Sequence, residues 1–266
     1  MGRGSRWLGV AVGAVCVFLL LPIVVVILTA FNAGSYLRFP PQGFSLRWFV
    51  SFAHNSTFTS SFLFSLELAA LATALAAVLG TLGALFAVRH AGRWANALRL
   101  LMVAPLELPA ILTGVALLIF FYGIRLRTQG LMTLLIGHTL ICIPFVFLAV
   151  SVVLTHFDTN LEEAARSLGA DGWRTFLRVT LPLIKVGIVS GATLAFVSSF
   201  GEFPISLLLS GVQATPLPLQ LFDYLRFSFD PTAAAVGTVN IALTVSVVLL
   251  TERWVGLESL YRGGRR

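Results

Sequence analysis

Residues 156–182 read HFDTNLEEAARSLGADGWRTFLRVTLP, and they separate two long apolar runs at 131–155 and 186–210. Thr159, followed three residues later by Glu162, has the spacing of a capping box. Leu161, Ala164, Ala165 and Leu168 then fall on one face at helical spacing. Gly169 suits the left-handed conformation that closes a helix. Asp171 suits the cap of a second short helix, on which Trp173, Phe176 and Leu177 share a face, and Pro182 is expected to end it. The stretch predicts an elbow of two short helices joined at a glycine, in the longest of the inside loops (156–185).

The flanking runs set the fold class. Six apolar stretches, at 8–30, 61–88, 100–122, 131–155, 186–210 and 232–250, each reach the ~18 residues that argue for a membrane span. Backbone in hydrocarbon must satisfy its own hydrogen bonds, so these spans are helices, and a barrel strand needs only about 9–11 alternating residues. The chain is 58% hydrophobic and 11% charged, against roughly a quarter charged in soluble proteins. No polar stretch is long enough for a second domain. The expectation is an all-α polytopic membrane protein with six spans and one membrane domain over 1–266. The first run exceeds the roughly 7–15 residues of a signal-peptide core and reads as a retained helix.

Charge gives the orientation. With the N-terminus inside, only Arg38, Arg47, Arg125, Arg127 and Arg226 fall in outside loops, which leaves 13 of the 18 Lys and Arg inside. That bias predicts both termini on the cytoplasmic side. The net charge of +7 sits in short loops between spans, a pattern of topology rather than of nucleic-acid binding. Cys16 and Cys142 lie inside apolar runs, and the four histidines lack metal-ligand spacing. No phosphate loop and no nucleophile–base arrangement is present in the sequence. No cofactor, no metal and no enzymatic activity are expected.

Three carboxylates fall within or beside spans: Glu67, Glu107 and Glu202. Placing a charge there costs about 2.5–3.5 kcal/mol by insertion scales, so each is a candidate for the solute pathway. Glu107 sits between Pro105 and Pro109, and Glu202 follows Phe200-Gly201 and precedes Pro204. Both contexts weaken a helix. Phe200 beside Glu202 would suit an amine cation through ring-face contact. The alternative is that each carboxylate pairs at a helix interface. A stripe of Ala69, Ala72, Ala76, Gly80, Gly83 and Ala87, and a Gly187-x3-Gly191 pair, predict close helix crossings.

By the residues alone, the elbow is either a docking element for another protein or a helix pair resting on lipid headgroups. Glu163-Ala164-Ala165, Gly169 and Val179-x-Leu181-Pro182 resemble the EAA signature of binding-protein-dependent ABC importer permeases, with Val179 where that family usually has Ile. Residues 31–49 and 109–118 are similar to spermidine/putrescine-type permeases, closest to their second permease subunit. The resemblance implies the type I importer permease fold in a bacterial inner membrane. It implies that Glu163, Ala164, Ala165, Gly169, Leu181 and Pro182 couple to a separate ABC ATPase dimer. It also implies a second, homologous permease forming a heterodimer, an extracytoplasmic solute-binding protein and a polyamine-like solute. Ala110 and Gly201 stand where polyamine permeases tend to carry acids, which leaves a mono-amine, a zwitterion or an anion open. A proton- or sodium-coupled carrier using Glu107 and Glu202 is the competing reading, but it has no use for a rigid docking elbow. The sequence also lacks the internal repeat of many such carriers.

Overall fold

Apolar helix-forming runs separated by Gly, Pro and Arg turns become helices wherever the chain is described. The computed structural model describes residues 3–126, 130–211 and 215–255, with side chains from 7 to 254. The expectations placed on Arg127, Arg262, Arg265 and Arg266, and on the side chains of Arg3 and Arg6, lie outside the described residues. In chain order the helices are α1 (Arg3–Ala30), α2 (Arg47–His54), α3 (Ser56–Arg89), α4 (Ala95–Glu107), α5 (Ala110–Gly123), α6 (Leu131–Thr155), α7 (Asn160–Ser167), α8 (Gly172–Thr175), α9 (Leu181–Phe200), α10 (Pro204–Leu209), α11 (Leu217–Phe227) and α12 (Thr232–Val255). Among the described residues, five helical runs are long and apolar enough to cross a membrane: Trp7–Ala30, Ser56–Arg89, Leu131–Thr155, Gly172–Phe200 and Thr232–Trp254.

The sixth span departs from the sequence expectation. The run at 100–122 is not one helix: α4 and α5 meet at an angle of 104°. The break falls at Leu108, whose backbone is extended (ψ 139°). A residue before proline is pushed out of the helical region, and Pro109 has no N–H to return to the preceding turn. The run at 186–210 is corrected likewise. Its helix begins earlier, at Gly172, and breaks at residues 201–203 before resuming as α10 at Pro204. Pro22 and Pro144, by contrast, lie inside α1 and α6 without ending them.

Two compact units divide the chain. One holds the described residues up to Ser60 together with Gln220–Val245. Its small core joins Ala30, Ala234 and Ala235 to Phe31, Trp48 and Phe49. Asn32 is fully buried and organises the first outside loop. Its Oδ1 accepts from the N–H groups of Gly34 and Gln42, its Nδ2 donates to the Tyr36 carbonyl, and its own carbonyl accepts from Trp48 Nε1. Asn55 Oδ1 caps the start of α3 by accepting from Thr57 and Phe58 N–H. Every residue of α1 from Trp7 to Val24 is exposed, presenting an apolar surface to lipid or to another chain.

The other unit, the described residues of Ser61–Leu219 with those from Ser246 on, is built around α6. Val146, Phe147 and Val150 are fully buried there with Ala76, Ala84, Ile184 and Ala195. The glycine pair on α9 lets the two backbones touch: a Cβ at Gly191 would lie 2.6 Å from Val146 Cα, and one at Gly187 would lie 2.9 Å from the Ala149 carbonyl oxygen. On α3, Ala69, Ala72, Ala76, Gly80 and Ala87 are buried. A Cβ at Gly80 would lie 2.8 Å from Val146 Cβ, so much of this small-residue stripe packs within the chain.

Candidate functional site

The elbow forms by local rules at most positions. α7 closes through a Schellman motif: Gly169 has φ +88°, its N–H donates to Arg166 O, and Ala170 N–H reaches Ala165 O. Asp171 Oδ1 then accepts from Arg174 N–H at 2.8 Å and starts α8. Two expectations are corrected here. Thr159 makes no side-chain cap, and Asp158 Oδ1 instead accepts from Asn160 N–H. Pro182 does not end the second helix. A π turn over Phe176–Thr180, closed by Leu181 N–H to Phe176 O, carries the helix onward, and Pro182 sits in the first turn of α9. The missing proline N–H is absorbed by that wider turn.

Glu162, free of any capping role, points inward. Its Oε1 accepts from Arg89 Nη2 at 2.8 Å and from Thr180 Oγ1. The Glu162 side chain is 11% exposed and that of Arg89 25%. The Arg89 guanidinium also lies 5.3 Å from the Phe157 ring centroid. Burial pushes the Glu162 carboxyl up, but the Thr180 and Arg89 hydrogen bonds and the charges of Arg89 and Arg166 outweigh it and hold the group below its ordinary value. The opposite face is bare. Leu161, Glu163, Ala164 and Gly169 are exposed, Leu168 is 90% exposed, and Trp173, stacked on Phe176, is 68% exposed. Ala165 is half-buried, Leu181 packs against the α6 core and Pro182 is exposed. One side of the elbow is thus anchored to the bundle, and the other offers apolar area beside the Glu163 carboxylate.

The intramembrane acids are treated unevenly. Glu67 and Glu107 are exposed, and Glu107 ends α4 just before the 104° bend. Glu202 is half-buried in the break between α9 and α10. Its Oε1 accepts from Ile205 N–H at 3.0 Å and its carbonyl from Ser206 Oγ at 2.8 Å. One carboxylate oxygen therefore caps α10. Phe200 is buried, edge-on to Phe62 (5.8 Å) and stacked on Phe196 (6.0 Å), so its ring is packed among other aromatics.

Sequence reasoning missed two residues. His138, on α6, is buried and bonded to Ser199 on α9 and Ser206 on α10, so it straddles the break. Cys142, one turn further on α6, donates to the Ala195 carbonyl. A histidine inside an otherwise apolar span was the available signal for the first. No local pattern pointed to the partnership of Arg89 and Glu162, which are 73 residues apart.

Comparison with known proteins gives consistent matches. Residues 79–257 match a family model described as binding-protein-dependent transport system inner membrane component. The chain is 32% identical over 228 residues to the putrescine transport system permease protein PotI of Escherichia coli K12, covering 84% of this chain and 81% of that protein. It is 29% identical over 235 residues to the spermidine/putrescine transport system permease protein PotC of Haemophilus influenzae, covering 88% and 91%. A chain of a bacterial ABC transporter that imports the acidic polysaccharide alginate shares the fold at TM-score 0.72 and 17% identity, covering 96% of this chain and 98% of that one.

Proposed function

This chain belongs to the family of binding-protein-dependent transport system inner membrane components, and from that premise we propose that it forms half of the translocation pathway for a polyamine or a closely related amine. It is a permease subunit of an ABC importer, an inner-membrane protein whose work is transport. The whole chain, 1–266, serves as one permease domain with both termini in the cytoplasm, in keeping with the 13-to-5 distribution of Lys and Arg. Its partners are an ABC ATPase dimer at the elbow, a second homologous permease, and a solute-binding protein on the far side.

The observation that carries the reading is the two-faced elbow. Glu163 and Ala164 on α7, and Leu168 just after it, stand bare while Glu162 anchors the same helix from behind. The small side chain of Ala164 allows close approach of a partner's backbone, and Glu163 supplies charge at the contact. The helical run Gly172–Phe200 then links the elbow to the break that holds Glu202. At 1.5 Å per residue its 29 residues reach about 40 Å. A push at the elbow is therefore delivered along a nearly continuous rod to the candidate pathway. There, the Glu202 oxygen not engaged by Ile205 attracts an amine cation, and Glu107, exposed at the end of α4, is a second acid for the pathway. The runner-up, an ion-coupled carrier, leaves the elbow without a purpose.

Co-purification with the cognate ATPase tests this, with Glu163→Ala and Gly169→Pro alongside. Loss of ATPase association or of coupled uptake is expected in both, and wild-type behaviour in both contradicts the coupling role. For the solute, thermal stabilisation of the cognate binding protein is measured across polyamines, amino acids, aminophosphonates and sugars. Polyamines are expected to raise its melting temperature most, and a sugar response without an amine response contradicts the proposed substrate.

A further inference from the structure

We propose that Arg89 and Thr180, by gripping the Glu162 carboxylate, recruit the second span into the elbow's movement, so that α3 and α9 shift together when α7 is pushed. This rests on the coupling role of the elbow proposed above.

Chain connectivity alone ties α7 to α6 through residues 156–159 and to α9 through 168–180. It provides no link to α3, whose C-terminus lies 73 positions before Glu162. The ion pair supplies that link. Arg89 is the last residue of α3, where a cation favours the helix dipole, and Glu162 lies in the first turn of α7, where an anion does. Phe157 under the guanidinium restricts Arg89 from a second side. The third member depends on the π turn. Residues five apart lie about one turn apart in an i→i+5 turn and so on neighbouring positions of the helix surface, whereas in an α-helix they lie about 140° apart. Thr175 and Thr180, at either end of that turn, are both buried: Thr175 bonds Asp171 O, and Thr180 bonds Glu162. A single carboxylate oxygen therefore joins the end of α3, the coupling helix and the base of α9. With little solvent around it, the junction resists shear better than an exposed ion pair.

The test uses the complete complex, with ATPase and binding protein, in proteoliposomes. It reads solute transported per ATP hydrolysed, with ATPase stoichiometry on co-purification and the melting temperature alongside. Arg89→Ala and Glu162→Gln are expected to keep the ATPase bound while transport per ATP falls at least fivefold. Arg89→Lys, which keeps the charge, should retain more than half of wild-type coupling. Thr180→Val should cost about twofold, and it carries the test if Arg89→Ala does not assemble. An unchanged transport-to-ATP ratio in Glu162→Gln and Thr180→Val, even with a lowered melting temperature, overturns the proposal. So does a loss that merely parallels lost ATPase association, because the pair would then serve docking. These outcomes differ from failure of the coupling role itself, which would appear as wild-type association and uptake in Glu163→Ala.

Discussion

His138 Nε2 lies 3.1 Å from Ser206 Oγ, so a side chain of α6 fastens α10 immediately beyond the break in the fifth span. Its other nitrogen is bonded to Ser199 just before the break, and Ser206 passes the connection to the Glu202 carbonyl. The interrupted helix at Glu202 is thus a fixed feature, held from both sides by one buried imidazole. Breaks in transmembrane helices persist where neighbouring groups satisfy the freed backbone, as Glu202 and Ser206 do here.

Replacing His138 by Ala removes the imidazole partner of Ser199 and of Ser206, which keeps only its bond to the Glu202 carbonyl, and leaves a cavity in the core. A loss of about 2–3 kcal/mol in stability is expected from unsatisfied buried groups. It is read as a lowered unfolding midpoint in detergent. Because His138 lies toward the end of α6 opposite the elbow, ATPase co-purification should be retained in the protein that survives.

The α6–α9 contact predicts a steep size dependence at one position. A side chain at Gly191 meets Val146 Cα at 2.6 Å, and backbone cannot yield as a side-chain tip does. Gly191→Val should destabilise the protein by about 1–3 kcal/mol through overpacking. Gly13→Val, where a Cβ meets nothing within 4 Å, should leave the unfolding midpoint unchanged in the same assay.

The joint of the elbow makes a conformational prediction. Gly169 holds φ +88°, a region that costs an L-residue about 1–2 kcal/mol. Gly169→Ala should therefore loosen the end of α7 without adding a clash, since no atom lies within 4 Å of the new Cβ. Faster amide exchange across α7 together with reduced uptake is the expected result.

Acid should weaken the elbow through Glu162. A carboxyl held below its ordinary value of 4.5 contributes stability above that pH and loses it as the pH falls through the depressed folded value. Protease protection of the elbow is therefore expected to hold from neutral pH down to about 4.5 and to fall below it. In Glu162→Gln that acid-dependent step should be absent.

How much of this was legible in the sequence follows from the range of the forces involved. Four of the six spans, the glycine closure at Gly169 and the Asp171 cap depend on neighbours within a few residues and form much as read, whereas the runs at 100–122 and 186–210 are broken. The same local pattern failed at Thr159 and Glu162, because a capping box competes poorly with an arginine that only the tertiary fold brings near. Proline is ambiguous for a related reason. Pro109 and Pro204 accompany breaks, whereas Pro22 and Pro144 do not. Whether a helix survives its proline depends on what packs around it. Glu202 was legible as an acid in a broken helix, but the hydrogen bond that occupies one of its oxygens was not.

Uptake by the reconstituted complex, with permease pair, ATPase and binding protein, distinguishes the two energy sources most directly. Putrescine accumulation is measured with ATP and no ion gradient, then with an imposed proton or sodium gradient and no ATP. Accumulation only with hydrolysable ATP, abolished by Glu163→Ala, is the predicted result. Gradient-driven accumulation in the absence of ATP, unaffected by that substitution, would contradict it.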